Sequence, residues 1–418
     1  MSIAFVAAVC YLGPVYILYL GDVYKHVDIA AASVVVSSVV VAVLTAFLIN
    51  LTGSVRWPGL RLVVPVVLWL VVGTAAVWGR SDEHDAGIAH LCTGLIAWLL
   101  GSSCATLIRA DSEARERTAR ILTGVLFVQA VVVVGQIVGI DLNPMTAEQS
   151  ALLEGRYNGL LSHPGLLANS TLAIFTLILA LRDSSVSWRS GRMAVTFALV
   201  IGICLAAQSR AQIIGAFLLL TVWAMLTYRP NVGRGKRFGV IGLAFVGLLV
   251  SFPVLQRRFA EDPNGGGRGI LQDVGIQAML DHPLTGVGPN SYVSVIGISD
   301  ALTASGVPVH NVFLLSAVEL GIGGAILLWL PVLWTFVRGF RLRKATGSAG
   351  APAVASVAFF IPFMLSAFTG WGLLADPLWA LVMLVMGTIY GLMSSAATPV
   401  EGLDPTLRRR PVVANKPS

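Results

Sequence analysis

Charged residues are scarce in this sequence, and so are cysteines. Only 12% of the 418 residues are charged, and the mean hydropathy is +0.82. Soluble domains carry about twice that charged fraction, so the composition indicates a polytopic membrane protein. The four cysteines each lie inside an apolar run with no zinc-site spacing between them, which argues against a disulfide framework or a zinc site: Cys10, Cys92, Cys104 and Cys204.

The motifs of several enzyme classes are missing. The sequence contains no zinc-protease motif, no nucleophile elbow and no phosphate-binding P-loop. Metal-dependent sugar transferases of the multi-span type usually need a close pair of carboxylates in the first outer loop, where this chain has only Asp22 and Asp28. The acidic run 82–85 is better interpreted as a solvated turn than as a cation site. We therefore expect neither a metal ion nor a cofactor.

Long apolar windows are abundant. Windows of about 20 apolar residues mark transmembrane helices, so we predict an all-α polytopic helix bundle. The first window lacks a cleavage-site pattern and is interpreted as a retained span. The twelve predicted spans are 2–20, 29–51, 62–78, 86–108, 119–140, 164–181, 193–208, 210–228, 238–255, 311–336, 351–370 and 374–394.

Most basic residues fall on one side of the membrane when the predicted spans are connected in order. With both termini placed in the cytoplasm, 21 of the 28 lysines and arginines fall in inner loops and tails, and 7 fall outside. This asymmetry is the positive-inside pattern. The net charge of +7 therefore reports orientation in the membrane and needs no nucleic-acid partner.

The basic residues on the outer side break this pattern. Most are arginines from the middle of the chain: Arg156, Arg210, Arg257, Arg258 and Arg268. Arginine stays charged and binds phosphate with two parallel hydrogen bonds. Their retention against the topological bias predicts an anionic ligand on the outer side. Lipid headgroup contact is the alternative for each, and it is favoured for Arg257 and Arg258, which directly follow a span.

Two outer loops are long. The loop at 141–163 ends just before Pro164, and the loop at 256–309 contains three glycines before Arg268, which predict a hinge. Apolar residues then recur at helical spacing over 269–280, which predicts an amphipathic helix on the outer surface. We expect one transmembrane domain over 1–397, with 256–309 outside the cytoplasm, and a disordered cytoplasmic tail over 398–418.

One histidine has the position of a general base. His310 lies where the long outer loop meets a span, and an imidazole near its ordinary pKa can accept a proton from a hydroxyl. A helix-capping histidine at the interface is the alternative. His163 and His282 each precede a proline, so we expect them only to shape turns. Asp376, near the outer end of the last span, is a candidate partner for His310 or for a hydroxyl.

The order of these residues resembles a known family. Arg156, Ser209-Arg210 and Arg268 are followed by Asp281-His282-Pro283-Leu284-Thr285-Gly286-Val287-Gly288-Pro289-Asn290, and then by His310-Asn311-Val312-Phe313-Leu314 and Glu319-Leu320-Gly321. Over roughly 150–330 the chain resembles the O-antigen ligase and polymerase superfamily. The first five spans resemble it only in being apolar.

The resemblance implies a GT-C-like, metal-independent inverting glycosyltransferase in the bacterial cytoplasmic membrane, acting in surface polysaccharide assembly. The donor would be a glycan on a polyprenyl pyrophosphate such as undecaprenyl pyrophosphate, and the acceptor a glycan, lipid or protein. His310 would be the catalytic base, and Arg210, Arg268 and Arg156 would bind the pyrophosphate. The loop around Gly286–Tyr292, with Asn290 and Tyr292, would shape the sugar site.

Other functions remain open from the sequence. Ligase and polymerase use the same donor, and these motifs do not separate them. A lipid-linked oligosaccharide flippase or other transporter would need charged residues within the spans and paired interrupted spans, and we find few charges and no such repeat. A non-catalytic partner of a cell-wall synthesis complex would tolerate loss of His310 and Arg210. Multi-span peptidoglycan glycosyltransferases need an outer carboxylate that the sequence does not identify.

Overall fold

The chain folds almost entirely into helices. The computed structural model describes residues 1–12, 16–18, 36–51, 59–77, 84–109, 111–140, 155–182, 191–227, 234–261, 267–345, 349–375 and 377–394. The predicted tail over 398–418 lies outside these residues. A two-stranded antiparallel ribbon, in which Tyr16–Leu18 (β1) pairs with Val36–Ser37 (β2), is the sole sheet among them.

The helices follow the predicted spans in order. Within the described residues they are α1 Ser2–Tyr11, α2 Ser38–Leu51, α3 Leu60–Val77, α4 His84–Ile108, α5 Ser112–Ile137, α6 Pro164–Leu181, α7 Arg192–Ala206, α8 Arg210–Leu226, α9 Arg234–Glu261, α10 Arg268–Asp281, α11 Tyr292–Ile296, α12 Ala301–Ala304, α13 Val312–Leu342, α14 Gly350–Thr369 and α15 Leu378–Ser394. A 3₁₀ turn, Gly372–Leu374, precedes the last. Of those described, seven are long and apolar enough to cross a membrane, and five shorter apolar helices accompany them. The predicted polytopic membrane helix bundle is confirmed.

The first two predicted spans are helical over part of their length among the described residues. Helix covers Ser2–Tyr11 of the window 2–20 and Ser38–Leu51 of the window 29–51. Gly13 and Pro14 follow α1 in the sequence, a pair that terminates helices. Ten residues of helix extend about 15 Å, half of the hydrocarbon thickness, so α1 alone does not cross it.

The helix α15 forms the centre of the bundle, and it packs most closely on α4. All its residues from Leu378 to Met393 are buried. Glycines allow the approach: a Cβ atom at Gly387 would overlap the carbonyl of Trp98, and one at Gly391 would overlap the carbonyl of Ser102. Helices in bilayers associate through such small residues because no hydrophobic force drives two apolar helices together in lipid. The sequence Gly387–Gly391 is a small-xxx-small motif.

The centre of the bundle can be tested at Gly387. Replacing Gly387 with Ala places a methyl group against the Trp98 backbone, which cannot yield as a flexible side chain would, so we expect a loss of about 1–3 kcal/mol in stability. Thermal unfolding of the detergent-purified protein measures it. Gly124→Ala is the matched control, because a Cβ atom at Gly124 in α5 meets nothing within 4 Å. Equal melting temperatures for the two variants would contradict the packing described.

Candidate functional site

The last turn of α14 joins the starts of α6, α8 and α13. Gln212, in the first turn of α8, donates one hydrogen bond to Asn169 of α6 at 2.9 Å and one to Ser366 of α14 at 3.1 Å. Two residues after Ser366, the ring of Phe368 lies edge-on to Phe313 in the first turn of α13, with centroids 5.4 Å apart. The N-termini of α6, α8 and α13 therefore lie at the same end of the bundle.

Arg210 opens α8 after a very tight connection. The preceding helix ends at Ala206, and Gln208 adopts φ 49°, a left-handed conformation uncommon for a residue with a side chain. Ser209 is the N-cap, and its hydroxyl donates to the side-chain oxygen of Gln212 rather than accepting from a backbone amide. The guanidinium carbon of Arg210 lies 4.9 Å from the ring centroid of Phe259, near the end of α9. The predicted spans 193–208 and 210–228 leave almost no loop between them, and this prediction is confirmed.

The loop containing Arg156 docks on that same turn. Arg156 Nε donates to the carbonyl of Ala207 at 3.2 Å, and the amide of Tyr157 donates to the carbonyl of Ala206 at 3.1 Å. On its other side, Gln136 at the end of α5 donates to Asn158 and accepts from the amide of Gly159. Arg156 is therefore bonded to a residue that lies three positions before Arg210, although 54 positions separate the two arginines in the sequence.

His310 immediately precedes the cap of α13. The side chain of Asn311 accepts hydrogen bonds from the amides of Phe313 and Leu314, so that it is the N-cap and His310 remains outside the helix. His163 caps α6 through Nδ1, which accepts from the amide of Gly165 at 2.9 Å. The sequence had predicted only that His163 shapes a turn.

The predicted helix in the long outer loop is confirmed as α10, and it packs beside His310. A Cβ atom at Gly275 would lie 3.2 Å from Val309 and 3.1 Å from Leu314, which flank His310 and Asn311. Arg268 is the first residue of this helix. Seven residues of helix separate it from Gly275, about 10 Å along the axis.

The helix α13 is interrupted at Gly321. This residue has φ 72° and ψ 165°, so the helix consists of two segments, Val312–Leu320 and the remainder up to Leu342. The backbone groups freed by the break are satisfied by the motif at 283–288: Val287 N donates to Val318 O and Gly288 N to Glu319 O, both at 2.9 Å, while Ile322 N donates to Pro283 O at 2.9 Å. The predicted span 311–336 is present within α13, but the sequence did not indicate the break at Gly321.

Two glycines allow the 283–288 motif to cross the break in α13 with the two backbones in contact. A Cβ atom at Gly286 would overlap the backbone of Glu319, and one at Gly321 would overlap the carbonyl of Leu284. Both glycines also have positive φ, 68° and 72°, which glycine adopts without strain. Trp69 of α3 completes the junction, because its indole nitrogen donates to the carbonyl of Leu320 at 3.1 Å.

Glu319 is a buried carboxylate at this junction, and sequence reasoning assigned it no role. It is only 2% exposed, and its Oε1 lies 3.4 Å from the amide of Tyr292. The sequence could have indicated Glu319, because an acidic residue within an apolar span is rare and usually functional. Tyr292 and Asn290 are buried as well, and burial raises the pKa of the Tyr292 phenol to about 12. These two predicted sugar-site residues therefore lie inside the folded loop, with Asn290 at φ 57°.

Some predicted features fall outside the described residues. Asp376, the side chain of Arg258 and the glycines at 265 and 266 are among them, as are the side chains of the acidic run 82–85. Within the described part of the chain, no group of three or more His, Cys, Asp or Glu residues is arranged to hold a metal ion.

The crossing of backbone at Gly286 and Gly321 can be tested by single substitutions. Gly286→Ala and Gly321→Ala each combine a positive φ with an overlap onto backbone, so we expect severe destabilisation or loss of the folded protein, at least about 2 kcal/mol each. Folded yield and melting temperature in detergent measure it. Gly269→Ala, in α10 with open space around its Cβ position, is the control. A Gly321→Ala protein as stable as this control would contradict an interrupted α13.

The family comparison matches the region that carries most of these residues. A family model described as O-Antigen ligase matches residues 195–329, about a third of the chain. Arg210, Arg268, Asn290, Tyr292 and His310 lie within the match, whereas Arg156 lies outside it. The sequence predicted that the resemblance begins near 150, and the match begins later. No curated protein matches the chain. The predicted resemblance to the O-antigen ligase and polymerase superfamily is confirmed over residues 195–329, and the apolar helices make the chain a multi-pass membrane protein.

Proposed function

We propose that this protein transfers a glycan from a polyprenyl pyrophosphate to an acceptor hydroxyl at the outer face of the bacterial cytoplasmic membrane, with both chain termini in the cytoplasm. One observation carries the proposal. The turn of α14 that hydrogen-bonds Gln212, two residues after Arg210, also packs on Phe313, three residues after His310. These contacts support the proposal because the segments that carry Arg210, the proposed anion-binding group, and His310, the proposed base, meet the same turn of α14.

His310 is the base in this proposal. The acceptor hydroxyl gives its proton to the neutral imidazole while its oxygen bonds to the anomeric carbon of the donor sugar. The bond from that carbon to the pyrophosphate oxygen breaks, and its electron pair leaves with the polyprenyl pyrophosphate. A single displacement of this kind inverts the anomeric carbon.

Arg210 and Arg268, with Arg156, stabilise the leaving pyrophosphate. Their guanidinium groups supply the positive charge that a metal ion supplies in other transferases, and fixed charges of this kind stabilise developing negative charge without reorganisation. Helix geometry adds to this effect. Arg210 and Arg268 are each the first residue of a helix, where the helix dipole and free amides favour anions.

The loop at 286–292 serves as the floor of the sugar site. Asn290 and Tyr292 are buried, so they act by fixing the shape of this loop, and their direct contact with sugar stays a prediction. The hydrogen bonds from Val287 and Gly288 to α13 fix the loop relative to His310, which immediately precedes the N-cap of the same interrupted helix. The distance between base and sugar is thereby set by backbone contacts.

The catalytic assignment can be tested by His310→Ala in a deletion strain. Loss of a general base removes about 10²–10⁴-fold in rate, so we expect the deletion pattern of lipid-linked glycans and surface polysaccharide. His282→Ala is the matched control, because His282 lies in the same outer loop as the C-cap residue of α10. Wild-type glycans from His310→Ala protein at normal abundance would overturn the role of His310.

The same strains separate ligase from polymerase. Single repeats on the carrier and a lost length ladder indicate a polymerase, whereas long glycans retained on the carrier indicate a ligase. Retention of the donor's anomeric configuration in the product, measured by NMR, would contradict a single displacement.

The role of Arg210 can be tested by its replacement with lysine. Lysine keeps the charge but loses the planar pair of donors, so we expect turnover to fall about tenfold or more. Arg257→Lys, an outer arginine for which headgroup contact is favoured, is the control. Turnover is measured in membranes that contain the host's lipid-linked glycans. Equal turnover of the two variants would argue against pyrophosphate binding by Arg210.

The interrupted helix favours one alternative. Broken helices with a buried acid such as Glu319 are typical of transporters, which bring two of them together at the bilayer midplane. Here one described helix is interrupted, only about 13 Å from its start. A flippase would lose transport but no bond-forming step, so the product analysis above distinguishes it. A non-catalytic partner of a cell-wall synthesis complex would keep wild-type glycans after loss of either His310 or Arg210.

A further inference from the structure

A second cationic cluster lies at the opposite end of α6 from the Arg156 loop. This helix runs from Pro164 to Leu181, and Arg182 follows as its C-cap residue. Arg182 is only 4% exposed. Because α6 is an apolar span of 18 residues, its end lies at the headgroup level of the leaflet opposite the proposed catalytic site.

Most guanidinium nitrogens of Arg182 lack a hydrogen-bond acceptor among the described residues. Nη2 donates to the hydroxyl of Thr123 in α5 at 3.2 Å. Nε and Nη1 are buried and find no acceptor among the residues that the structure describes. A buried charge is costly unless it is paired and hydrogen-bonded. Its retention at this position indicates an acceptor that the described chain does not supply.

The charges around Arg182 leave an excess of positive charge. Among the described residues, Glu116 attracts the guanidinium of Arg182 and Arg192 repels it, and Glu116 is already bonded to Arg192 at 3.2 Å. Two guanidinium groups therefore share one carboxylate among the described residues. The side chains of Arg192 and Glu116 are 58% and 24% exposed, so this ion pair forms the solvent side of the cluster. An exposed pair contributes little to stability, and a stronger anion can displace it.

We propose that Arg182 and Arg192 bind the phosphate group of an anionic phospholipid in the leaflet opposite the proposed catalytic site. Phosphate offers several acceptor oxygens and matches the two-pronged geometry of a guanidinium. Free phosphate shares this chemistry. The location of Arg182 at the end of an apolar span favours the lipid, whose acyl chains lie along the helices while its headgroup reaches the cluster. The proposal does not depend on the reaction at the outer end.

Native mass spectrometry of the full-length protein tests the site. We expect wild type to retain phosphatidylglycerol over phosphatidylcholine with the same acyl chains. Arg182→Gln should lower this preference about tenfold, since one charge-assisted phosphate contact is lost. Arg117→Gln is the matched control: Arg117 lies on the neighbouring α5, pairs with Glu113 and is 59% exposed. It removes the same charge and should leave the preference unchanged.

Three results would overturn the proposal. Equal retention of the two lipids by wild type would mean that no anionic site exists. Equal losses in Arg182→Gln and Arg117→Gln would mean that general surface charge is responsible. Inorganic phosphate that raises the melting temperature in detergent, without any preference for phosphatidylglycerol, would assign the site to a soluble anion and remove the lipid.

A second variant keeps the test decisive if Arg182→Gln does not fold. Glu116→Gln removes the carboxylate that competes for Arg192, so it should increase the retention of phosphatidylglycerol relative to wild type. Unchanged or reduced retention in Glu116→Gln would contradict the proposed cluster.

Discussion

The structure depends on the exchange of backbone hydrogen bonds between the 283–288 motif and the break in α13. In a bilayer, each unsatisfied amide or carbonyl costs several kcal/mol, so a helix that breaks within a span must find new partners for the groups it frees. Here the partners come from Pro283, Val287 and Gly288, and from the indole of Trp69. Trp329 bonds Ser316 across the break at 3.0 Å and holds the two segments of α13 together.

This exchange turns a surface loop into part of the core. The loop cannot move without exposing the carbonyls of Val318 and Glu319, so its position relative to the start of α13 is fixed. On the other side of the site, the hydrogen bonds of Gln212 fix α8 against α6 and α14. Polar contacts thus hold the site from two sides, whereas the apolar helices α3 and α9 leave most of their surface outside the packed bundle.

The spans of this protein were predictable, whereas its junctions were not. Long apolar windows gave all twelve apolar helices in order, and the near-absent loop before Arg210 and the helix after Arg268 were also predicted correctly. The break at Gly321 was missed because glycine in an apolar span equally permits close packing, as Gly324 does against Trp69. Whether a glycine bends or packs depends on a partner 35 residues away, Gly286, which local patterns do not contain. The proximity of Arg156 to Arg210 was unpredictable for the same reason.

The contact between the Arg156 loop and the turn before Arg210 has an evolutionary consequence. On the turn side, both acceptors are main-chain carbonyls, those of Ala206 and Ala207. A carbonyl is present whatever residue occupies the position, so these two hydrogen bonds survive a change of side chain in the turn, unlike the bond from Gln208 Nε2 to the carbonyl of Gly155. The two segments are then free to diverge in sequence at different rates while their geometry persists. Sequence similarity would fade across the loop before the architecture does, which is consistent with a family match that starts at 195 and leaves Arg156 outside.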